Sequence, residues 1–388
     1  MAMKILILSC NTGEGHNSSA KALKAAMDAR GIESEIQDTI ALVSAAASRK
    51  VSDIYVYSTK SSMFERAYKI GALVSGMDVG LKSPVYLTNR FYAKKLWDHI
   101  VNGGYDAVVC VHLFPAEAIT ALKRQALLLK KLNFPKVPTI FVMTDYTCIP
   151  FLPETELDRY VIAHEDLVEE FVEKGIPREK VVPVGIPVSL TKERIPKEEA
   201  RRLADKEFGW DDGADKGKWF LLMGGSMGFG NMGDLLERLL DKISDEDRVI
   251  CICGRNDELR DGLTMDFGED HRFKAIGYTD KVSLLMDASD VLFSKPGGIT
   301  STEAAIRNIP LVHTAPIPGL EDKNALFFHF HNMSYSTKDP RHQADVALRL
   351  CNDEAWRNRM LEAQRRNTNL HTCDDIIDLI GSMVLKDF

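Results

Sequence analysis

Two glycine-rich turns in the second half of the chain, Gly224-Gly225-Ser226-Met227-Gly228 and Lys295-Pro296-Gly297-Gly298, carry the residues best suited to hold an anion. Each follows an apolar run that reads as a buried strand, Trp219-Phe220-Leu221-Leu222-Met223 and Val291-Leu292-Phe293, and each precedes a helix-like stretch. Strand, tight turn and helix N-terminus together present unpaired backbone N–H groups and the positive end of a helix dipole. Two such turns in one domain suit a diphosphate held from two sides without a metal. The second turn runs into Ile299-Thr300-Ser301-Thr302-Glu303, which puts a hydroxyl and a carboxylate one turn into the helix. A carboxylate there is placed to accept both hydroxyls of a ribose. A nucleotide-sugar is the ligand these residues predict.

A candidate base stands near the start of the chain. His16 closes Asn11-Thr12-Gly13-Glu14-Gly15-His16, at the mouth of the first strand-to-helix turn, where doubly wound sheets bind ligands. An imidazole near pKa 6.5 accepts the proton of an attacking hydroxyl at neutral pH, worth roughly 10²–10⁴ in rate, and Glu14 is placed to orient it. The same position equally suits a loop histidine that caps or packs locally. His112 and Asp145 each fall at or just after the end of a strand and point into the same crevice, where either would bind an acceptor or tune His16.

Other motif matches carry less. Gly228-Phe229-Gly230-Asn231-Met232-Gly233 has the GxGxxG form, but it begins five residues past Met223, and Asp257 lies too far along to be the acid of a dinucleotide fingerprint. No Walker A loop exists. Asp245-Glu246-Asp247 has the DxD form used by metal-dependent sugar transferases, yet it lies between a helix and the strand at Val249 and reads as surface acids on a solvated turn. With no other metal constellation, helix ends, N–H groups and hydroxyls are left to stabilise a leaving diphosphate. Neither a metal nor a cofactor is expected.

The elements that must position these residues alternate. In the first half, strand 3–9 leads to a helix near Ser18–Ala29 and a polar strand around Glu33–Asp38; after a basic, helix-rich insert come apolar strands at 107–111, 139–143 and 160–162. The second half repeats the rhythm at 219–223, 249–253, 273–276, 291–294 and 310–312. Short apolar runs alternating with helices predict an α/β chain with parallel sheets covered on both faces. The break at Pro183-Val184-Gly185-Ile186-Pro187 marks a domain junction, and two doubly wound, Rossmann-like domains facing a cleft are expected. The expected limits are 1–190, 191–365, and a last helix, 366–388, crossing back to the first domain.

The chain has 388 residues, 45% hydrophobic and 27% charged, enough for about two domains, and its net charge of −7 disfavours nucleic acid as a partner. Seven dispersed cysteines and a first strand too short for an export signal predict a reducing cytoplasm. No run reaches the roughly 18 apolar residues that span a bilayer. Residues 60–95, however, carry seven basic side chains (Lys60, Arg66, Lys69, Lys82, Arg90, Lys94 and Lys95) against Glu65 and Asp78, with Phe64, Tyr68, Tyr86, Phe91 and Tyr92 interleaved. Residues 121–136 add five more basic residues and no acid. This composition suits an anionic leaflet, at about 1 kcal/mol per basic residue. It equally suits solvated helix faces over buried aromatics.

Taken together, the motifs resemble those of the monogalactosyldiacylglycerol synthases and processive diacylglycerol glucosyltransferases, relatives of the lipid-linked N-acetylglucosaminyltransferase of peptidoglycan synthesis. The opening strand through Gly13-Glu14-Gly15-His16-Asn17-Ser18-Ser19-Ala20 is similar to that family's first strand and glycine–histidine turn. Thr144-Asp145-Tyr146, Gly185-Ile186-Pro187-Val188, Gly224-Gly225-Ser226, Cys253-Gly254-Arg255-Asn256, Lys295-Pro296-Gly297-Gly298 and Pro318-Gly319 follow in the family's order. The resemblance covers most of the chain. It implies a GT-B fold, a lipid acceptor in the first domain, a UDP-sugar in the second, and inverting transfer without a metal. By position it makes His16 the acceptor base, with Gly15, His112, Asp145 and Tyr146 around the acceptor. It assigns Gly224, Gly225, Ser226, Arg255, Pro296, Gly297, Gly298 and Thr300 to the UDP-sugar, Glu303 to the ribose, and Tyr278 and Thr279 to the uracil pocket. It also turns the 60–95 insert into a membrane-docking segment. Two positions depart from the family. Gly319-Leu320-Glu321 replaces Gly-Gln-Glu, leaving Glu321 and Asp322 to hold the sugar hydroxyls, and Cys148-Ile149-Pro150 stands where a histidine is common.

The resulting expectation is an inverting transferase of a UDP-hexose, galactose or glucose, to membrane 1,2-diacylglycerol, docked peripherally on the inner face of the cell membrane. One base suffices for a single inverting displacement. The alternatives are another lipid or soluble glycan as acceptor, or a non-catalytic UDP-sugar sensor.

Overall fold

The fold is that of a computed structural model, which describes residues 3–10, 14–42, 83–129, 137–189, 194–210, 217–224, 232–317 and 319–386. The chain divides into two units, one of Met1–Ser189, Pro318–Leu320 and Asn369–Phe388, the other of Leu190–Ile317 and Glu321–Thr368.

In the first unit the leucine–isoleucine run of β1 (Lys4–Ser9) is buried almost throughout, which only a strand covered on both faces allows. It is followed by β2 (Glu33–Asp38), β3 (Ala107–Cys110), β4 (Thr139–Val142), β5 (Arg159–Ile162) and β6 (Val181–Pro183), all parallel, in the order β2-β1-β3-β4-β5-β6. The order reverses between β1 and β3, so the turns leaving these two strands open side by side at a topological switch point. The core joins Ile5, Ile7, Leu23, Val109 and Val161 to Ile376, Ile377 and Ile380 of the last helix, Thr372–Lys386. That helix is fastened by Thr372, whose Oγ1 donates to the Val184 carbonyl at 3.0 Å. Gly185 follows with φ of +116°, and a Cβ there would lie 2.5 Å from Thr372 Oγ1. Only glycine fits that backbone and that gap.

The second unit repeats the plan with β7 (Trp219–Met223), β8 (Arg248–Ile252), β9 (Phe273–Ile276), β10 (Val291–Ser294), β11 (Leu311–His313) and β12 (Tyr335–Ser336), parallel in the order β12-β11-β10-β7-β8-β9. Here the order reverses between β7 and β10, and their register pairs Met223 with Ser294. The ends of β7 and β10, which the two glycine-rich sequences follow, therefore lie side by side.

Three local readings change. β6 and β12 were not visible in the sequence pattern: each has two or three residues at a sheet edge, too few for a period. The first helix spans Glu14–Ala29, so His16 sits in its first turn. Asp247 is a buried acid, not a surface one. Its carboxylate accepts the N–H groups of Lys218 and Ser244 and closes the turn before β8, while Asp245 and Glu246 are exposed.

Candidate functional site

At the first switch point, β1 delivers the chain to helix Glu14–Ala29, while β3 runs on through Val111 to His112. The register places Val111 beside the end of β1, with its N–H donating to the Leu8 carbonyl. Its own carbonyl lies 2.7 Å from His16 Nδ1. A carbonyl only accepts, so Nδ1 carries the proton and Nε2 carries the lone pair. Thr144 Oγ1 lies 3.3 Å from the same Nδ1 and 3.3 Å from Asp145 Oδ2. Burial pulls the His16 pKa below the ordinary imidazole value, with Asp145 and the Val111 hydrogen bond pulling the other way. His16 is thus a neutral base near pH 7, with an acid beside it to stabilise its charged form.

The His112 ring meets the His16 ring edge-on at 4.7 Å. Its Nδ1 accepts the Phe114 N–H at 3.1 Å, and burial, then the His16 charge, hold its pKa well below the usual value. The structure therefore brings His16, His112, Thr144 and Asp145 together. Gly15 lies in the same helical turn, and Tyr146 is buried just beyond Asp145.

In the second unit, Gly297 is the N-cap of helix Gly298–Arg307 and offers no side-chain hydrogen bond to the first helical N–H groups. The turn is tied down. Asn324 Nδ2 donates to the Pro296 carbonyl at 3.0 Å, and Lys295 pairs with Glu321, which is 8% exposed and also accepts the Ile317 N–H at 2.7 Å. Glu321, anticipated at the sugar, thus already has partners within the protein, and Asp322 beside it is half-buried. Thr300 and Glu303 share the half-buried side of the helix. Burial pushes the Glu303 carboxyl up to about 7, opposed by Arg307 one turn later. Arg307 pairs with Asp287 at 3.1 Å in the interior. Farther along the same sheet edge, the Arg255 guanidinium lies 5.1 Å above the Tyr278 ring, which is 60% exposed, and Thr279 Oγ1 accepts the Lys281 N–H. Gly224 is buried at the end of β7, while Gly225 and Ser226 lie outside the described residues.

Sequence reasoning missed the partners more than the participants. The Val111 carbonyl leaves no trace in side-chain types, and the Arg307–Asp287 pair joins two helices with no shared motif.

Comparison with known proteins finds relatives over part or most of the chain. The family model for monogalactosyldiacylglycerol synthase matches residues 16–188. A processive diacylglycerol beta-glucosyltransferase of Bacillus cytotoxicus is 25% identical over 389 residues, covering 97% of this chain and 93% of the relative. A Staphylococcus epidermidis protein of the same name is 32% identical over 255 residues, covering 63% of this chain and only 62% of its own length. Among solved structures, MurG of Acinetobacter baumannii superposes with a TM-score of 0.63 at 16% identity, covering 98% of this chain and 99% of that one. The fold is the two-domain GT-B fold.

Proposed function

We propose that this chain is a glycosyltransferase of the monogalactosyldiacylglycerol synthase and processive diacylglycerol glucosyltransferase family, to which it is similar, and that it transfers a hexose from its UDP ester to the free hydroxyl of 1,2-diacylglycerol. The observation that carries this reading is the His16 hydrogen bond to the Val111 carbonyl. It leaves Nε2 unprotonated, as a base for an acceptor hydroxyl requires. The hydroxyl proton passes to Nε2 as the acceptor oxygen forms its bond to the sugar C1. The C1–phosphate oxygen bond breaks, and UDP departs with the electron pair. A single displacement inverts C1. Asp145 stabilises the imidazolium that forms, and the Gly297–Gly298 helix start and its partner turn after β7 take up the diphosphate charge. Glu303 accepts the ribose hydroxyls, with Thr300 on the phosphate and Tyr278 and Thr279 at the uracil.

No metal is required in this scheme, and the Asp247 carboxylate is already committed to two backbone N–H groups. Activity is expected to survive EDTA. Loss on chelation with recovery on adding Mn²⁺ would return Asp245 and Asp247 to consideration.

The decisive experiment incubates the protein with vesicles containing 1,2-diacylglycerol and either UDP-glucose or UDP-galactose, then analyses the lipids by mass spectrometry. A glycosyldiacylglycerol and released UDP are expected. His16→Ala should lower turnover by about 10²–10⁴ with UDP affinity retained, because the base acts on the acceptor. A protein that binds UDP-sugar yet releases no UDP with any lipid is a sensor, and that result would overturn the reading.

A further inference from the structure

His313 ends β11 between Ser294, the last residue before the second glycine turn, and Ser336 of β12. It is fully buried, yet both ring nitrogens meet hydroxyls. Nε2 lies 3.0 Å from Ser301 Oγ, and Nδ1 lies 3.0 Å from Ser334 Oγ and 3.4 Å from Ser336 Oγ. The Phe328 ring packs edge-on at 5.4 Å. Burial pulls the imidazole pKa down to about 3, so the ring is neutral at any working pH. A neutral imidazole has one N–H and one lone pair, and hydroxyls serve either, so the network is satisfied in both tautomers. An aliphatic side chain at this strand end would be cheaper to bury. A fully bonded polar network specifies geometry instead.

The geometry it specifies is that of helix Gly298–Arg307. Ser301 is fully buried on its inner side. At 3.6 residues per turn, Thr300 and Glu303 lie within about 60° of each other and at least about 100° from Ser301. Holding Ser301 therefore fixes the rotation of the helix about its axis, and with it where Glu303 points. Side-chain atoms stand about 6 Å from a helix axis, so a turn of only about 10° moves a carboxylate by about 1 Å. Binding groups need placement within about 0.5 Å.

We propose that His313 is a positioning residue for the nucleotide site, acting through Ser301 to set the Glu303 carboxylate against the ribose. This rests on the assignment of Glu303 as ribose ligand given above. The test measures UDP affinity by calorimetry and donor kinetics in the full chain. Ser301→Ala, a small change in a helix, should weaken UDP roughly threefold to tenfold, raise KM for the donor and leave kcat nearly unchanged. Added to Glu303→Ala it should cost nothing further. His313→Gln places an amide where Nε2 was and keeps the Ser301 contact, whereas His313→Asn reaches only the Nδ1 partners. Gln should therefore bind UDP close to the wild-type level and Asn should not, even where the two melt at similar temperatures. Equal UDP affinity in the Gln and Asn variants, or an unchanged affinity in folded Ser301→Ala, overturns the positioning role. If Glu303→Ala itself leaves UDP binding intact, both the ribose assignment and this inference fall; if it weakens binding while Ser301→Ala does not, only the inference falls.

Discussion

Two half-buried titratable groups face opposite demands. In the proposed reaction His16 must be uncharged to accept a proton, and burial works in its favour. Under the same proposal Glu303 must be charged to accept the two ribose hydroxyls, and burial works against it, raising its carboxyl to about 7. In the unliganded protein near neutral pH, Glu303 therefore still holds part of its proton, and UDP binding should expel it. Affinity for UDP should rise between about pH 6 and 8, with proton release visible as a binding enthalpy that varies with the buffer's ionisation enthalpy. Glu303→Gln should weaken binding and abolish that release, and comparison of the two separates the protein's proton from the diphosphate's own titration. Stability moves the other way. The folded state holds this proton above the pH where the unfolded chain has lost it, so stability falls as pH rises from the ordinary carboxyl range to about 7. Glu303→Gln should therefore melt higher than the wild type at pH 8 and match it near pH 4.

At the scale of elements, the proposed diphosphate site depends on β7 and β10 being neighbours in register, not on any glycine alone. The first unit depends in the same way on one loop, where Gly185 meets the last helix. Gly185→Ala combines a positive φ with an overlap against Thr372, and about 2–4 kcal/mol of destabilisation is expected. Denaturant unfolding should show that loss in the transition that reports on the first unit. UDP affinity should be unaffected, since every residue assigned to the nucleotide belongs to the second. A variant as stable as the wild type would mean that the loop relaxes freely.

For the molecule as a whole, charge and exposed apolar surface set the proposed docking to an anionic bilayer. None of the described helices is long and apolar enough to cross a membrane. On the described part of the basic segment, Phe91 is 91% exposed and Leu87 50%, beside exposed Arg90, Lys94 and Lys95, while Tyr86 and Tyr92 are buried. Arg66 and Lys69 lie outside the described residues. Neutralising Arg66, Lys69, Arg90, Lys94 and Lys95 together should remove up to about 5 kcal/mol of attraction to an anionic surface, less with screening. Wild-type protein should sediment with anionic vesicles, release with salt, and lose binding in this variant, with UDP affinity retained. Equal sedimentation of the two proteins would reduce the segment to a solvated face.

Much was legible in the residues alone. Short apolar runs separated by helical stretches are local patterns, and they announced both parallel sheets, the Lys295–Gly298 turn after β10 and a histidine where the first strand passes into the first helix. The two shortest edge strands, β6 and β12, were lost because two or three edge residues form no pattern. What tertiary structure alone decided concerns partners distant in the chain. The tautomer of His16 depends on a carbonyl 95 residues away. The burial of Asp247 depends on a turn closing over it, and the place of the last helix on three isoleucines finding the first sheet. A side chain's chemistry is written in its type, but its protonation and its aim follow from what folding brings against it.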